Sequence, residues 1–153
     1  MADDTNAIFK ALFEQLGRDI GLDGMQPDEE GYLALQTEAS TPVHCQVEDG
    51  KLMLLAPLGQ LPAGEKQAPA MKKLLAANAL WEGTGGATLA VEPTSDQVLL
   101  ARRWTAAELE ETGLHSPLET FLSVMQHWTG FLRGNGETPP AADGDIVDMQ
   151  TLA

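Results

Sequence analysis

Between Asn6 and Ile20 the apolar residues Ile8, Phe9, Leu12, Phe13, Leu16 and Ile20 recur at three- and four-residue steps, the spacing of one stripe along a helix. Asp3, Asp4 and Thr5 offer a cap and favourable charge at its start, and Gly17 and Gly21 offer places to end. The period then changes to two. In Tyr32-Leu-Ala-Leu-Gln-Thr37, Leu33 and Leu35 share one face, and in the next run Val43, Cys45 and Val47 alternate with His44, Gln46 and Glu48. Asp49-Gly50 follows, then Lys51-Leu-Met-Leu-Leu-Ala56. Asp-Gly between two such runs is a strong signal for an antiparallel hairpin.

The third strand is apolar on both faces, Leu52 and Leu54 on one and Met53 and Leu55 on the other, so each face needs a cover from this chain or another. Pro57 to Pro69 reads as a loop, and Pro69 suits the first turn of a short helix carrying Met71, Leu74, Leu75 and Asn78. Gly83-Thr-Gly-Gly86 stops that helix with a flexible turn. Ala87 to Glu92, a turn at Pro93 to Asp96, and Val98 to Arg103 then read as two more strands of the same sheet. Ser116-Pro-Leu-Glu119 has the form of a capping box. It opens a closing helix with Leu118, Phe121, Leu122, Met125, Trp128 and Leu132 on one stripe and Gly134 as its stop.

The predicted fold is α+β with the order α-β-β-β-α-β-β-α, a twisted antiparallel sheet flanked by three helices, in a single domain over residues 1–133. Residues 134–153 hold four acids, no base and no periodicity, and read as a solvated, disordered tail.

A mass of 16.4 kDa suffices for one unassisted core. The lone Cys45 excludes an intrachain disulfide, and no run has the length and apolarity of a bilayer span or secretory signal, which points to a cytoplasmic protein. A net charge of -14 repels phosphate backbones and anionic membranes, so neither nucleic acid nor membrane is an expected partner. The same charge favours solubility and a basic or amphipathic protein partner in about equal measure.

Catalytic candidates fail on spacing. His44 and Cys45 are neighbours on a strand and point to opposite faces, which excludes a shared metal or a nucleophile–base pair. His115 and His127 are twelve residues apart along a helix, too far for one ion to bridge. The Gly83–Gly86 turn leads from helix to strand, the reverse of a phosphate cradle. Asp28, Glu29 and Glu30 read as a loop run, and Glu108, Glu110 and Glu111 as a solvated segment. Trp128 fits core packing, whereas Trp81 and Trp104 flank the last hairpin and suit a protein interface. No catalytic residue, metal or cofactor is expected.

The order of elements, with Leu74-Leu-Ala-Ala-Asn78 before a Gly-rich turn and a hairpin, resembles a class I type III secretion chaperone of the CesT or Tir-chaperone family over about residues 5–133. The resemblance implies a bacterial, cytoplasmic, non-catalytic homodimer. It would bind the N-terminal segment of a secreted effector, keep it partly unfolded and deliver it to the secretion apparatus, with the apparatus ATPase as a further partner. It also implies a dimer interface at Met71, Leu74, Leu75, Asn78, Leu89 and Val91, and an effector surface on the first helix and the sheet. The effector-contacting side chains expected there are Phe9, Phe13, Leu33, Leu35, Met53, Leu55 and Leu99. The competing reading is a small α+β enzyme or ligand-binding domain with an apolar pocket.

Overall fold

The computed structural model describes residues 2–22, 24–36 and 42–134. The elements are α1 (Ala2–Ile20), β1 (Tyr32–Leu35), β2 (Val43–Glu48), β3 (Lys51–Gln60), α2 (Gln67–Asn78), β4 (Thr88–Val91), β5 (Gln97–Thr105), α3 (Ala106–Thr112) and α4 (His115–Arg133). The five strands form one sheet in the order β1-β2-β3-β5-β4, with β1 and β4 at its edges. The expected α+β order is therefore present, with one short helix, α3, added before the last. The tail reading for residues 135–153 lies outside the described residues.

Contacts divide the chain into two compact units, Met1–Leu55 with Arg103–Thr120, and Ala56–Arg102 with the chain from Phe121 on. In the first unit, α1 begins at Ala2, ahead of the expected cap, and ends at Gly21. There the Leu22 N–H reaches back to the Gly17 carbonyl (2.8 Å) and Gly21 takes the left-handed φ of +77° that such a termination requires. Phe9, Phe13 and Leu16, at i, i+4 and i+7, are its buried stripe, and α1 packs against α3. The β2–β3 hairpin turns at Asp49 and Gly50, both at positive φ as a two-residue turn of this hand demands.

The register pairs Leu33 with Cys45 and Cys45 with Leu54, and Leu35 with Val43. Residues directly opposite share a face, so Leu33, Leu35, Val43, Cys45 and Leu54 form the core side of this part of the sheet. Tyr32, Ala34, His44, Gln46, Met53 and Leu55 form the other side.

Two local readings are corrected in this unit. The acidic segment before the last helix is itself helical. Thr105 accepts the Glu108 N–H (3.2 Å) while the Glu108 carboxylate accepts the Thr105 N–H (2.8 Å), a complete capping box that starts α3 and leaves Leu109 fully buried. Ser116, by contrast, lies inside α4, whose first backbone bond runs from the Leu118 N–H to the Leu114 carbonyl.

In the second unit, β3 continues through Pro57 to Gln60 instead of breaking into a loop. Pairing with β2 ends at His44–Leu55, so the missing Pro57 N–H costs no bond to that strand. Helix α2 lies against β4. The turn after α2 is pinned in place: the Trp128 indole donates to the Gly83 carbonyl (2.9 Å) and Arg102 donates to the Gly85 carbonyl (2.7 Å). A Cβ on Gly83 would sit 2.8 Å from that of Ala77, so only glycine allows this approach.

Candidate functional site

Among the described residues several large apolar side chains stand uncovered. The larger patch belongs to α2 and the turn that follows it. The buried stripe of α2 is Ala70, Leu74 and Ala77, and on the side away from it stand Met71 (38% exposed) and Leu75 (67%), continued by Leu80 (78%) and Trp81 (52%). Leu80 and Trp81 both hold φ of +56°, a conformation that costs a bulky residue of order 1–3 kcal/mol and that surrounding structure has to impose. The Trp81 carbonyl accepts from Thr84, itself fully buried, and the Trp81 indole lies 3.4 Å from the Thr88 hydroxyl.

Of the six residues expected at the dimer interface, Met71 and Leu75 are exposed and Val91 is half-buried, while Leu74 and Leu89 are core residues of this chain. Asn78 has a structural task. Its amide donates to the Leu89 carbonyl (2.9 Å) and accepts the Leu89 N–H (2.8 Å), so one side chain replaces a neighbouring strand at that point of the β4 edge.

The other edge, β1, is built differently. Gly31, at φ +83°, accepts the Val47 N–H (2.8 Å), and a Cβ at Gly31 would overlap the Val47 carbonyl. Asp28 then takes both outward groups of Tyr32: its carboxylate accepts the Tyr32 N–H (2.9 Å) and its own N–H bonds the Tyr32 carbonyl (2.8 Å). Antiparallel alternation aims the next outward pair, on Ala34, at the open edge. A cleft of about 1050 Å³ lies between α1, the segment leading into β1 and the β2–β3 turn, with Phe9, Lys10, Gln26, Glu29, Glu30, Val47 and Asp49 among its lining residues. On the adjoining sheet face the Tyr32 hydroxyl and His44 Nδ1 hydrogen-bond at 2.6 Å with their rings stacked. Met53 (37% exposed) and the half-buried Leu55 complete that face.

The residues expected to contact an effector thus divide. Phe13 (0% exposed) and Leu35 are closed into the core by the chain itself, and Phe9 (1%) is buried but for the edge it shows to the cleft. Leu33 is half-buried on the core side, Met53 and Leu55 stand on the opposite face, and Leu99 is half-buried opposite Ala90 in β5. Trp104 is buried instead of lying at an interface, whereas Trp81 is exposed. The signal for this division was register: an odd–even count from Asp49-Gly50 separates Leu54 from Met53, but only pairing shows that Leu33 lies with Leu54.

Burial pushes the Cys45 thiol up to about 12. His115 pairs with Glu119 one turn along α4 (2.9 Å). His127 is half-buried, with its pKa lowered by desolvation and its Nδ1 buried without a hydrogen-bond partner. Among the described residues no group of three or more His, Cys, Asp or Glu is gathered to hold a metal ion, and no helix is long and apolar enough to cross a membrane.

Comparison with known proteins gives this fold a family. Residues 11–129 match the profile of the Tir chaperone protein (CesT) family. The chain belongs to that family. Solved structures agree in fold. The ExsC–ExsE complex aligns with TM-score 0.63 at 20% identity, covering 89% of this chain and 97% of the other. The HopA1–SchA chaperone–effector complex aligns with TM-score 0.62 at 18% identity, covering 87% and 96%. The Yersinia pestis type III secretion chaperone SycH, in complex with a stable fragment of YscM2, gives 0.61 at 19% identity, covering 76% and 96%. Sequence comparison with curated proteins finds no match. The α+β architecture of this Tir-chaperone family member is thus that of type III secretion chaperones.

Proposed function

We propose that this member of the Tir chaperone family is a cytoplasmic type III secretion chaperone that works as a homodimer and acts by binding alone. Two copies meet through the α2 face. Each receives the N-terminal segment of an exported effector along β1 and over the Tyr32–His44–Met53–Leu55 face, holds it extended, and carries it to the secretion apparatus and its ATPase.

The observation that carries this reading is that β1 stands at an edge of the sheet, with Met53 exposed and Leu55 half-buried on the adjoining face. An unfolded segment can add a strand at Ala34 through backbone bonds, which tolerate many sequences, while Met53 and Leu55 take apolar side chains. Each large apolar group so covered contributes on the order of 1.5–3 kcal/mol, which offsets the cost of ordering the segment. The charge of -14 speeds encounter with a basic or amphipathic client. That a chaperone–effector complex, HopA1–SchA, is among the structural neighbours supports the effector as client.

The test is purification from the source bacterium, with mass by light scattering and identification of whatever co-purifies. The expected result is a dimer carrying a polypeptide that maps to the first part of an exported protein. M53D/L55D should lower the amount of that polypeptide more than about tenfold with the dimer intact. A monomer retaining a small molecule, or full client capture by M53D/L55D, overturns the reading.

A further inference from the structure

The segment that leads into β1 closes the first outward position of that edge. One oxygen of the Asp28 carboxylate accepts the N–H groups of Glu30 and Tyr32 (both 2.9 Å), and the Asp28 N–H bonds the Tyr32 carbonyl (2.8 Å), so a single residue occupies both groups that Tyr32 turns outward. The loop is itself tied down. The Gly31 N–H bonds the Asp28 carbonyl (2.9 Å), the Gln46 side chain donates to the Glu30 carbonyl (2.8 Å), and the Gln26 side chain donates to the Lys10 carbonyl on α1 (3.2 Å). Swinging it aside breaks several bonds at once.

Outward groups on an antiparallel edge recur every second residue, about 7 Å apart, so Ala34 is the next position that an added strand can use. Its exposed side chain is the smallest on β1 and stands opposite His44, which in turn stands opposite Leu55. A client residue paired with Ala34 puts its own side chain on that same face, and a slip of one residue turns the wrong set of side chains toward it. Charge marks the closed end as well: Glu29, Glu30 and Asp49 line the cleft there, against Lys10, which suits a basic residue where the client strand leaves β1.

We infer that Asp28 sets the register of the client. It stops strand addition short of Tyr32 and makes Ala34 the first paired position, and so selects a segment with a large apolar residue opposite Ala34 and a basic residue at the end next to Glu29 and Glu30. The inference rests on the reading of β1 as the client edge. Asp28 acts through the Tyr32 backbone and is thus a positioning residue.

The test uses the full chain carrying Ala34→Cys and the co-purifying polypeptide with single cysteines at successive positions, and reads which disulfides form, since hydrogen-bonded residues directly opposed lie about 5.5 Å apart, within disulfide reach. One client position should take about nine-tenths of the product, and adding Asp28→Ala should cut that share below about half, with the rest two positions away. Asp28→Asn, whose carboxamide oxygen still accepts, should restore the original position. In the client-free chain the Tyr32 amide should exchange at least about tenfold faster in Asp28→Ala. Gln46→Ala, which releases the Glu30 carbonyl and keeps Asp28, should shift the register in the same sense to a smaller degree, and it decides the matter if Asp28→Ala does not fold. An unchanged single link in these variants overturns the inference and leaves client capture standing, as does a bound client that links to Ala34→Cys at many positions or at none. Absence of any co-purifying polypeptide removes the reading of function itself, and the inference falls with it.

Discussion

Helices α1 and α2 invert each other's use of size. Helix α1 turns Phe9, Phe13 and Leu16 into the core, whereas α2 buries Ala70, Leu74 and Ala77 at the same i, i+4, i+7 spacing and leaves Met71 and Leu75 outside. A helix that hides alanines and shows leucine and methionine approaches its own sheet closely and saves its bulk for another surface. Strong segregation of large apolar residues onto one stripe therefore marks the inside of this chain, and weak segregation marks the face it offers.

The largest effect separating the two helices is on stability. Phe13→Ala should destabilise the chain by about 3–5 kcal/mol, read from the urea midpoint, because a fully buried ring leaves a cavity. Leu75→Ala should change the same midpoint by less than about 0.5 kcal/mol at concentrations where the chain is monomeric. Similar losses at the two positions would erase the distinction. Next in size is Asn78→Ala, which leaves the Leu89 N–H and carbonyl without their partner and should cost about 1–3 kcal/mol, with faster exchange at Leu89. A neutral result there would mean that water serves the β4 edge as well as the amide does.

The smallest effect is electrostatic and concerns α4. Desolvation lowers the folded-state pKa of His127 below its ordinary 6.5. The unfolded chain therefore takes up a proton first as pH falls. The stability that neutral His127 confers is complete above about 6.5 and is lost between there and the lower folded value. Urea midpoints of the protein and of His127→Leu, compared at pH 7.5, 6 and 5, should diverge less at pH 7.5 than at pH 5 in the direction of a relatively weaker parent at low pH. Parallel midpoints would show that the ring is solvated in both states.

Much of the architecture was legible because it rests on local signals. The stripe from Ile8 to Ile20, Asp49-Gly50 and the Leu118–Leu132 stripe each depend on residues a few positions apart. The signal for α3 was also present, since Thr105-Ala-Ala-Glu108 has the same form as the motif at Ser116, yet three glutamates in seven residues read as solvated chain. Pro57 misled for a similar reason: proline ends a strand only where its N–H is needed, and that depends on where β2 stops. The candidate site was least legible. Periodicity shows that Phe9 and Phe13 share a face, but α3, part of what packs against that helix, comes from nearly a hundred residues away. The difference between Leu33 and Met53 likewise depends on cross-strand register, a non-local property.

Cys45 sits at zero exposure in the middle of the first unit's sheet with its thiol pushed up to about 12. Raised by burial, it carries almost none of the reactive thiolate at neutral pH while folded. The single sulfhydryl of this chain is thus silent to alkylating reagents in the native state and responsive once the sheet opens, which makes it a built-in clock for how often the scaffold comes apart.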